Sequence, residues 1–430
     1  MVRRSAVLIA ATISVAALAA YVACTTPDPH AGNKNQGGSS TSSSSSTSAS
    51  SSSGGVDAAN VTGPIDCGPA PGAAGAFDKK ALISAAAKCA AWHACGFQNA
   101  ATALRDAVKA HAAGPTDTTR DAARTAWKAA MTEQSRMELF RFGPAGNTSQ
   151  DPYHGRGLRS FVHPWPDTNR CQVETQVAGK EWQKGIDLVL PSARGLFAIE
   201  YVMFYGGADT ACLPGSPTGQ AWGTFAPADL AKAKADYGAA VAENVLGVAV
   251  ELRNVWQPAP GGEDFGAKLL AFDKYGSEQE TLNVIAWSLL YEEKEVKDTK
   301  IAPHAGVVMT PPIPETPFAL VEIENIRINL RTFRELFQGC SADGQGTGIG
   351  FDDWLVAAGQ GQLAADILAQ LKIAEDTAAS FPPFDKATEQ QFADFYGVMR
   401  TFAATIKTRF FGSASSLNLK LPSNVASDTD

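Results

Sequence analysis

A carboxylate set in an apolar run is the first feature of this chain with chemical potential. Glu200 closes the stretch Gly195-Leu196-Phe197-Ala198-Ile199-Glu200, which continues through Val202, Met203 and Phe204. Burying an unpaired carboxylate is costly. Glu200 is therefore expected to face a polar cleft, with a satisfied structural carboxylate or an exposed flank as the alternatives. A second set is Trp127, Met131, Gln134, Glu138 and Arg141, whose 4-3-4-3 spacing lays them on one helix face that starts apolar and turns polar. Polar groups on a would-be core face suggest a lined pocket, although Glu138 and Arg141 could equally pair with each other at i,i+3 on the surface. Glu322, Asn325 and Asn329 form a polar line at 3-4 spacing, which reads as a solvated face. His93, His154, His163 and His304 scatter among turns and helix ends, and the sequence brings no two together.

Other chemistries lack their residues. There is no His-Glu-x-x-His zinc motif, no Gly-x-Ser-x-Gly elbow and no Gly-x-x-x-x-Gly-Lys phosphate loop. The glycine-rich run Gly344 to Gly350 follows a helix end rather than a strand and lacks dinucleotide-binding spacing, so it reads as a loop. Lys+Arg 36 against Asp+Glu 44 leaves a net charge of -8, without the basic footprint of a nucleic-acid partner. Six histidines and seven cysteines also limit how many metal sites could gather three or four nitrogen or sulfur ligands.

The elements that must carry these residues are helices. Ala319, Ile323, Ile326, Leu330, Phe333 and Phe337 follow a 4-3-4-3-4 spacing that lays one apolar seam along a helix beginning after Pro317 and ending at Gly339. Further helices are predicted near 80–112, 117–141, 191–205, 227–256, 277–299, 362–379 and 386–410. Little strand-like alternation is present, and 45% hydrophobic residues suffice for a sizeable core. The chain is thus expected to be all-α, built as two antiparallel helical-bundle halves. The break at Pro258-Ala259-Pro260-Gly261-Gly262 puts their boundary near 258–276. A short echo supports two halves: Met137-Glu138-Leu139-Phe140 near one helix end resembles Arg334-Glu335-Leu336-Phe337 near another.

The first 65 residues read differently. Arg3 and Arg4 precede an apolar run that ends at Tyr21-Val22-Ala23-Cys24. This pattern resembles a lipoprotein signal over 1–23, with Cys24 acylated as the mature N-terminus; a plain secretory signal and an uncleaved anchor are the alternatives. Residues 24–65 include a tract, Ser39 to Ser53, made only of Ser, Thr and Ala, which cannot build a core and reads as a disordered tether of roughly 35 Å reach. The remaining 66–430 form the helical domain. Thr25 after the cysteine resembles the outer-membrane sorting pattern, placing the domain in the cell envelope, facing the periplasm or the cell surface. Export implies disulfides. Cys171 and Cys212 flank the Gly195–Tyr205 helix and are expected to pair. Cys67, Cys89, Cys95 and Cys340 admit three pairings. Cys89 and Cys95 would not meet on an unbroken helix, so longer-range links are favoured.

With these elements in order, the chain resembles the imelysin-like family, once described as insulin-cleaving membrane proteases. The resemblance is carried by Trp127 to Pro144, by Trp165-Pro166, by Gly195 to Tyr205, by Glu322 to Gly339 with Gly348-Ile349-Gly350, and by the closing Leu419 to Asp430. It implies an all-helical envelope protein of two bundle-like halves, an association with iron uptake, and a family classed with metallopeptidases although many members look like binding proteins. The family signature is Gly-x-His-x-x-Glu, in which imidazole and carboxylate share a helix face and can hold one cation. The matching positions here are Gly195, Phe197 and Glu200, so the histidine is replaced. One carboxylate makes at most a weak divalent-metal site. The expectation is a non-catalytic, lipid-anchored protein with a cleft lined by Trp127, Glu138, Arg141, Gly195, Phe197 and Glu200. It would bind a small ligand, and any weak divalent-metal binding would fall to Glu200 alone. An active metallopeptidase and a tethered scaffold for another envelope protein are the alternatives. Mass spectrometry of membrane-extracted protein is expected to find an acylated Cys24 at the N-terminus; a soluble protein beginning elsewhere would refute the anchor.

Overall fold

The apolar stripes become helices where their periodicity places them, and the differences lie in how each helix starts and stops. The computed structural model describes residues 63–72, 75–258, 260–341 and 344–426. The signal 1–23, Cys24, most of the 24–65 tether and the terminal Asp428-Thr429-Asp430 lie outside the described residues.

The first half contains α1 (Lys79–Ala113), α2 (Asp117–Met137), α3 (Leu158–Val162), α4 (Arg170–Gly179), α5 (Gly195–Phe204), α6 (Pro217–Trp222) and α7 (Pro227–Trp256). Next come α8 (Phe265–Leu270), α9 (Glu278–Trp287) and a π-helical segment, Glu292–Ile301. The second half follows with α10 (Glu322–Gln338), α11 (Phe351–Ala357), α12 (Gly361–Ser380) and α13 (Glu389–Thr405). The fold is all-α, with no strand among the described residues. In one group α1 packs on α2 and α7, and α5 on α2 and α7; in the other α12 packs on α10 and α13, and α13 on the π segment. The two groups meet where α2 lies against α10. Among the described residues no helix is long and apolar enough to cross a membrane.

Local chemistry explains the caps. Asp78 accepts from the Ala81 N–H at the start of α1, and Thr116 with Thr119 forms a capping box before α2. The helix expected over 191–205 starts only at Gly195, because Pro191–Ala193 is a 3₁₀ turn and Gly195 has φ +76°. A Cβ there would lie 2.4 Å from the Val162 carbonyl oxygen. The helix expected from 277 to 299 is divided into α9, a 3₁₀ turn and the π segment. The i→i+5 turns accommodate four buried charged residues, Glu292, Glu293, Lys297 and Lys300. Helix α10 begins at Glu322, later than expected, since the N–H groups of Phe318 and Ala319 are bound by Glu200 and Leu320 is left-handed at φ +55°.

Cys171 bonds Cys212 across the segments that enter and leave α5. The other bridges are Cys67–Cys95 and Cys89–Cys340, the latter joining α1 to the chain just beyond α10 over 251 residues of sequence. Gly195→Ala is expected to destabilise the fold by at least about 2 kcal/mol, from left-handed strain plus the carbonyl clash. Denaturant titration measures the loss.

Candidate functional site

The face of α10 that reads as solvated is buried instead. Glu322 and Asn325 are each 2% exposed and Asn329 is fully buried, because this face turns toward α2 and the π segment. Helix α10 is therefore covered on its polar line as well as on its apolar seam, and buried polar groups must find partners.

They find them around Lys300. Its ammonium donates to Glu138 Oε2 at 3.0 Å, Glu315 Oε1 at 2.9 Å and Asn329 Oδ1 at 3.0 Å. Glu138 Oε2 also accepts from the Tyr291 hydroxyl at 2.6 Å and from Asn329 Nδ2 at 3.1 Å. Asn325 Nδ2 donates to Glu315 Oε2 at 3.0 Å, and Asn329 Nδ2 reaches back to the Ser135 carbonyl at 2.8 Å. Arg159 approaches Glu138 at 3.9 Å. Burial pushes the Glu138 carboxyl up, but the charges of Lys300 and Arg159 and the Tyr291 hydrogen bond outweigh it and hold it at about 2. Burial alone would lower Lys300; Glu138 and Glu315 raise it above its ordinary value. His163, buried beside this cluster, is lowered to about 4 by burial despite the pull of Glu138. It is neutral at physiological pH.

Glu200 lies at the same seam. Its Oε1 accepts from the Phe318 and Ala319 N–H groups, each at 2.8 Å, while its Oε2 is buried without a partner among the described residues. Glu322 does likewise, one oxygen accepting from the Thr316 N–H at 3.0 Å and the other unmatched. Burial raises Glu200 to about 8 against those backbone bonds, with Glu322 and Glu315 adding to the rise, and burial raises Glu322 to about 7. Two glutamates thus hold the backbone N–H groups of the 316–319 turn.

The residues singled out from sequence are distributed around this seam. Trp127 is fully buried and donates from Nε1 to the Leu196 carbonyl at 2.8 Å, tying α2 to α5. Phe197 packs toward Phe318 with ring centroids 6.3 Å apart. Gly195 provides the tight turn already described. Glu138 and Arg141 do not pair with each other: Arg141 makes a two-pronged contact with Glu295 at 2.6 and 2.7 Å. Sequence reasoning did not single out Tyr291, Lys300, Glu315 or Arg159 and left His163 without a partner, since nothing in the spacing joins these positions to Glu138. The family's metal position does not fit a metal here. Phe197 offers no lone pair, and Glu200 spends one oxygen on backbone donors.

A second group of potential ligands lies elsewhere. Sγ of Cys89 and Cys340, a ring nitrogen of His93 and a carboxylate oxygen of Glu335 lie within 4.8 Å of one another, all four residues buried. His93 Nε2 is 2.7 Å from Glu335 Oε2 and 3.8 Å from Cys340 Sγ. This is a candidate metal-binding cluster whose two sulfurs are joined as a disulfide. The i,i+4 pair Cys89 and His93 was its legible signal.

The imelysin family model matches residues 95–397. The chain belongs to the imelysin family. The fold agrees with an imelysin-like protein from Psychrobacter arcticum at a TM-score of 0.61 and 15% identity, covering 81% of this chain and 99% of that one. It also agrees with a protein from Parabacteroides distasonis, described as an iron-regulated protein A precursor, at a TM-score of 0.57 and 17% identity, over 82% and 98% of the two chains. No curated protein matches. Within this imelysin fold the signature glutamate serves as an acceptor for a turn of the opposite half.

Glu200 has a folded pKa near 8 against an ordinary 4.5. The unfolded chain then binds fewer protons between these values, so this residue's contribution to stability is full below about 4.5 and is lost as pH rises through about 8. Glu200→Gln keeps an acceptor for both N–H groups without the charge. It is expected to flatten the decline and to exceed the unaltered protein at pH 8 by a few kcal/mol, on the order of 1.4 per pKa unit. Paired melts at pH 5 and 8 check it.

Proposed function

We propose that this protein is a lipid-anchored imelysin-family member of the cell envelope that binds a small polar ligand at the α2–α10 seam, hydrolyses no peptides and has an iron-linked role. The observation that carries the reading is the state of the signature position. Phe197 stands where the family has histidine, and Glu200 is both protonated near neutral pH and bound to two backbone N–H groups. A metallopeptidase needs a metal with about three protein ligands and an open position for water.

Ligand binding is supported by what the seam leaves unmatched. Both amide atoms of Gln134, one turn before Glu138, and both ring nitrogens of His163 are buried without partners among the described residues. Each such group costs ~1–3 kcal/mol when left unmatched, so a guest carrying donors and acceptors would be stabilised there. The iron link is drawn from the Parabacteroides distasonis relative's description, and the anchor from Cys24 and the small residues before it. Thr25 favours the outer membrane, facing the periplasm or the cell surface. A second reading, recruitment of another envelope protein, is favoured by the exposed apolar residues Val307, Val308, Met309 and Ile313 beside one another in a loop.

Phe197→His restores the i,i+3 pair with Glu200 and is expected to raise affinity for zinc or ferrous ion at least tenfold, read by calorimetry with all disulfides intact. No gain would place Glu200 outside any latent metal site. Chelator-sensitive peptide cleavage by the unaltered, oxidised protein would overturn the non-catalytic reading.

A further inference from the structure

Cys89 and His93 lie one turn apart on α1, so both side chains leave the same face of that helix. Opposite them, Glu335 projects from the last turns of α10, and Cys340 follows the left-handed Gly339, whose φ of +86° turns the chain back toward α1. A Cβ at Gly339 would come within 2.3 Å of the Gly348 backbone, so only glycine permits this return. All four side chains are buried, with the Phe140 ring tilted against the His93 ring at a centroid distance of 5.4 Å.

We propose that Cys89, His93, Glu335 and Cys340 form a redox-gated zinc site. It is closed in the disulfide state and opens to two thiolates, one imidazole and one carboxylate once the bridge is reduced. The geometry is close to what zinc requires. Bonds of ~2.0–2.3 Å to a tetrahedral ion put ligand atoms roughly 3.3–3.8 Å apart. Cys340 Sγ and His93 Nε2 are already 3.8 Å apart, and His93 and Glu335 need to part by well under 1 Å from 2.7 Å. The disulfide is the obstacle, since covalently joined sulfurs cannot occupy two corners of the tetrahedron. Two thiolates with nitrogen and oxygen in this arrangement favour zinc over calcium or magnesium, which take oxygen ligands.

Access is provided by a cavity of about 500 Å³ lined by Cys340, Cys67, Ala85, Lys88, Trp92 and Ile349. The redox step balances with a dithiol reductant. Two electrons and two protons pass from the dithiol to the Cys89–Cys340 bridge, giving two thiols and a disulfide in the reductant. Zinc then displaces the two thiol protons to solvent as it binds the thiolates. This site shares no residue with the seam around Lys300, so the two readings stand or fall separately.

The test uses the full chain with zinc and cobalt(II) alone as probes. The oxidised protein is expected to carry no zinc through gel filtration. Reduction with a water-soluble phosphine, itself converted to the oxide, should add one equivalent that is missing in the reduced Cys89→Ser, Cys340→Ser double variant. Because reduction opens all three bridges, a second arm avoids it. Cys89→Ser frees the Cys340 thiol with the other two disulfides intact, and should bind cobalt(II) without reductant, with a thiolate-to-cobalt charge-transfer band. Adding His93→Ala should weaken that binding at least about tenfold. The proposal is overturned if folded Cys89→Ser gives no such band, if the double variant retains as much zinc as the reduced protein, or if His93→Ala changes nothing. It is also overturned if both the reduced protein and Cys89→Ser lose their helical circular dichroism, because the site requires the fold to survive without the bridge.

Discussion

The buried ammonium of Lys300 is the contact on which the joining of the two halves depends. It reaches Glu138 at the end of α2, Glu315 in the loop before α10 and Asn329 within α10, so one charge touches three separately positioned segments. Removing a single partner from such a cluster leaves an uncompensated charge in the interior, which costs far more than the cluster gains over an apolar replacement. The arrangement thus specifies how α2, α10 and the π segment meet more than it adds net stability. The π turns of Glu292–Ile301 belong to the same constraint, since they accommodate the buried charges that an exposed α-helix would leave in water.

Glu200 contributes a second tie of a different kind. Where its family's motif would give it a histidine three residues earlier, this chain supplies Phe197, which packs toward Phe318. The carboxylate oxygen then accepts from Phe318 and Ala319 of the other half. An aromatic contact and two backbone hydrogen bonds occupy the place of a cation pair. The proton on Glu200 near neutral pH follows from burial, because a charged carboxylate with only two backbone donors would be poorly solvated there.

The faint repeat acquires a physical meaning in this setting. Glu138 and Glu335 occupy matching places in the echoed ends of α2 and α10, and each is buried against a basic side chain. Glu138 takes Lys300 and Glu335 takes His93. One glutamate joins the permanent ion cluster, whereas the other sits beside the disulfide that closes α1 onto α10.

Periodicity placed the long helices, because a 3.6-residue apolar stripe buries itself as a helix, but it did not show that α5 starts only at Gly195 or that α9 gives way to the π segment. The Ala319 to Phe337 seam, the long α1 and α7, and the pairing of Cys171 with Cys212 were legible for that reason or from simple flanking position. The replacement of the motif histidine by Phe197 was equally legible, being a change of residue type. What tertiary structure alone decided was the burial of polar faces. Glu322, Asn325 and Asn329 look solvated on one helix and become interior when a second helix covers them, and Lys300 cannot be told from a surface lysine until Glu138 and Glu315 surround it. The reason is that spacing along a chain fixes which residues share a face, while the partners that cover this face, Ser135 and Glu138 of the α2 end and Lys300 of the π segment, belong to other elements that only the fold brings beside it.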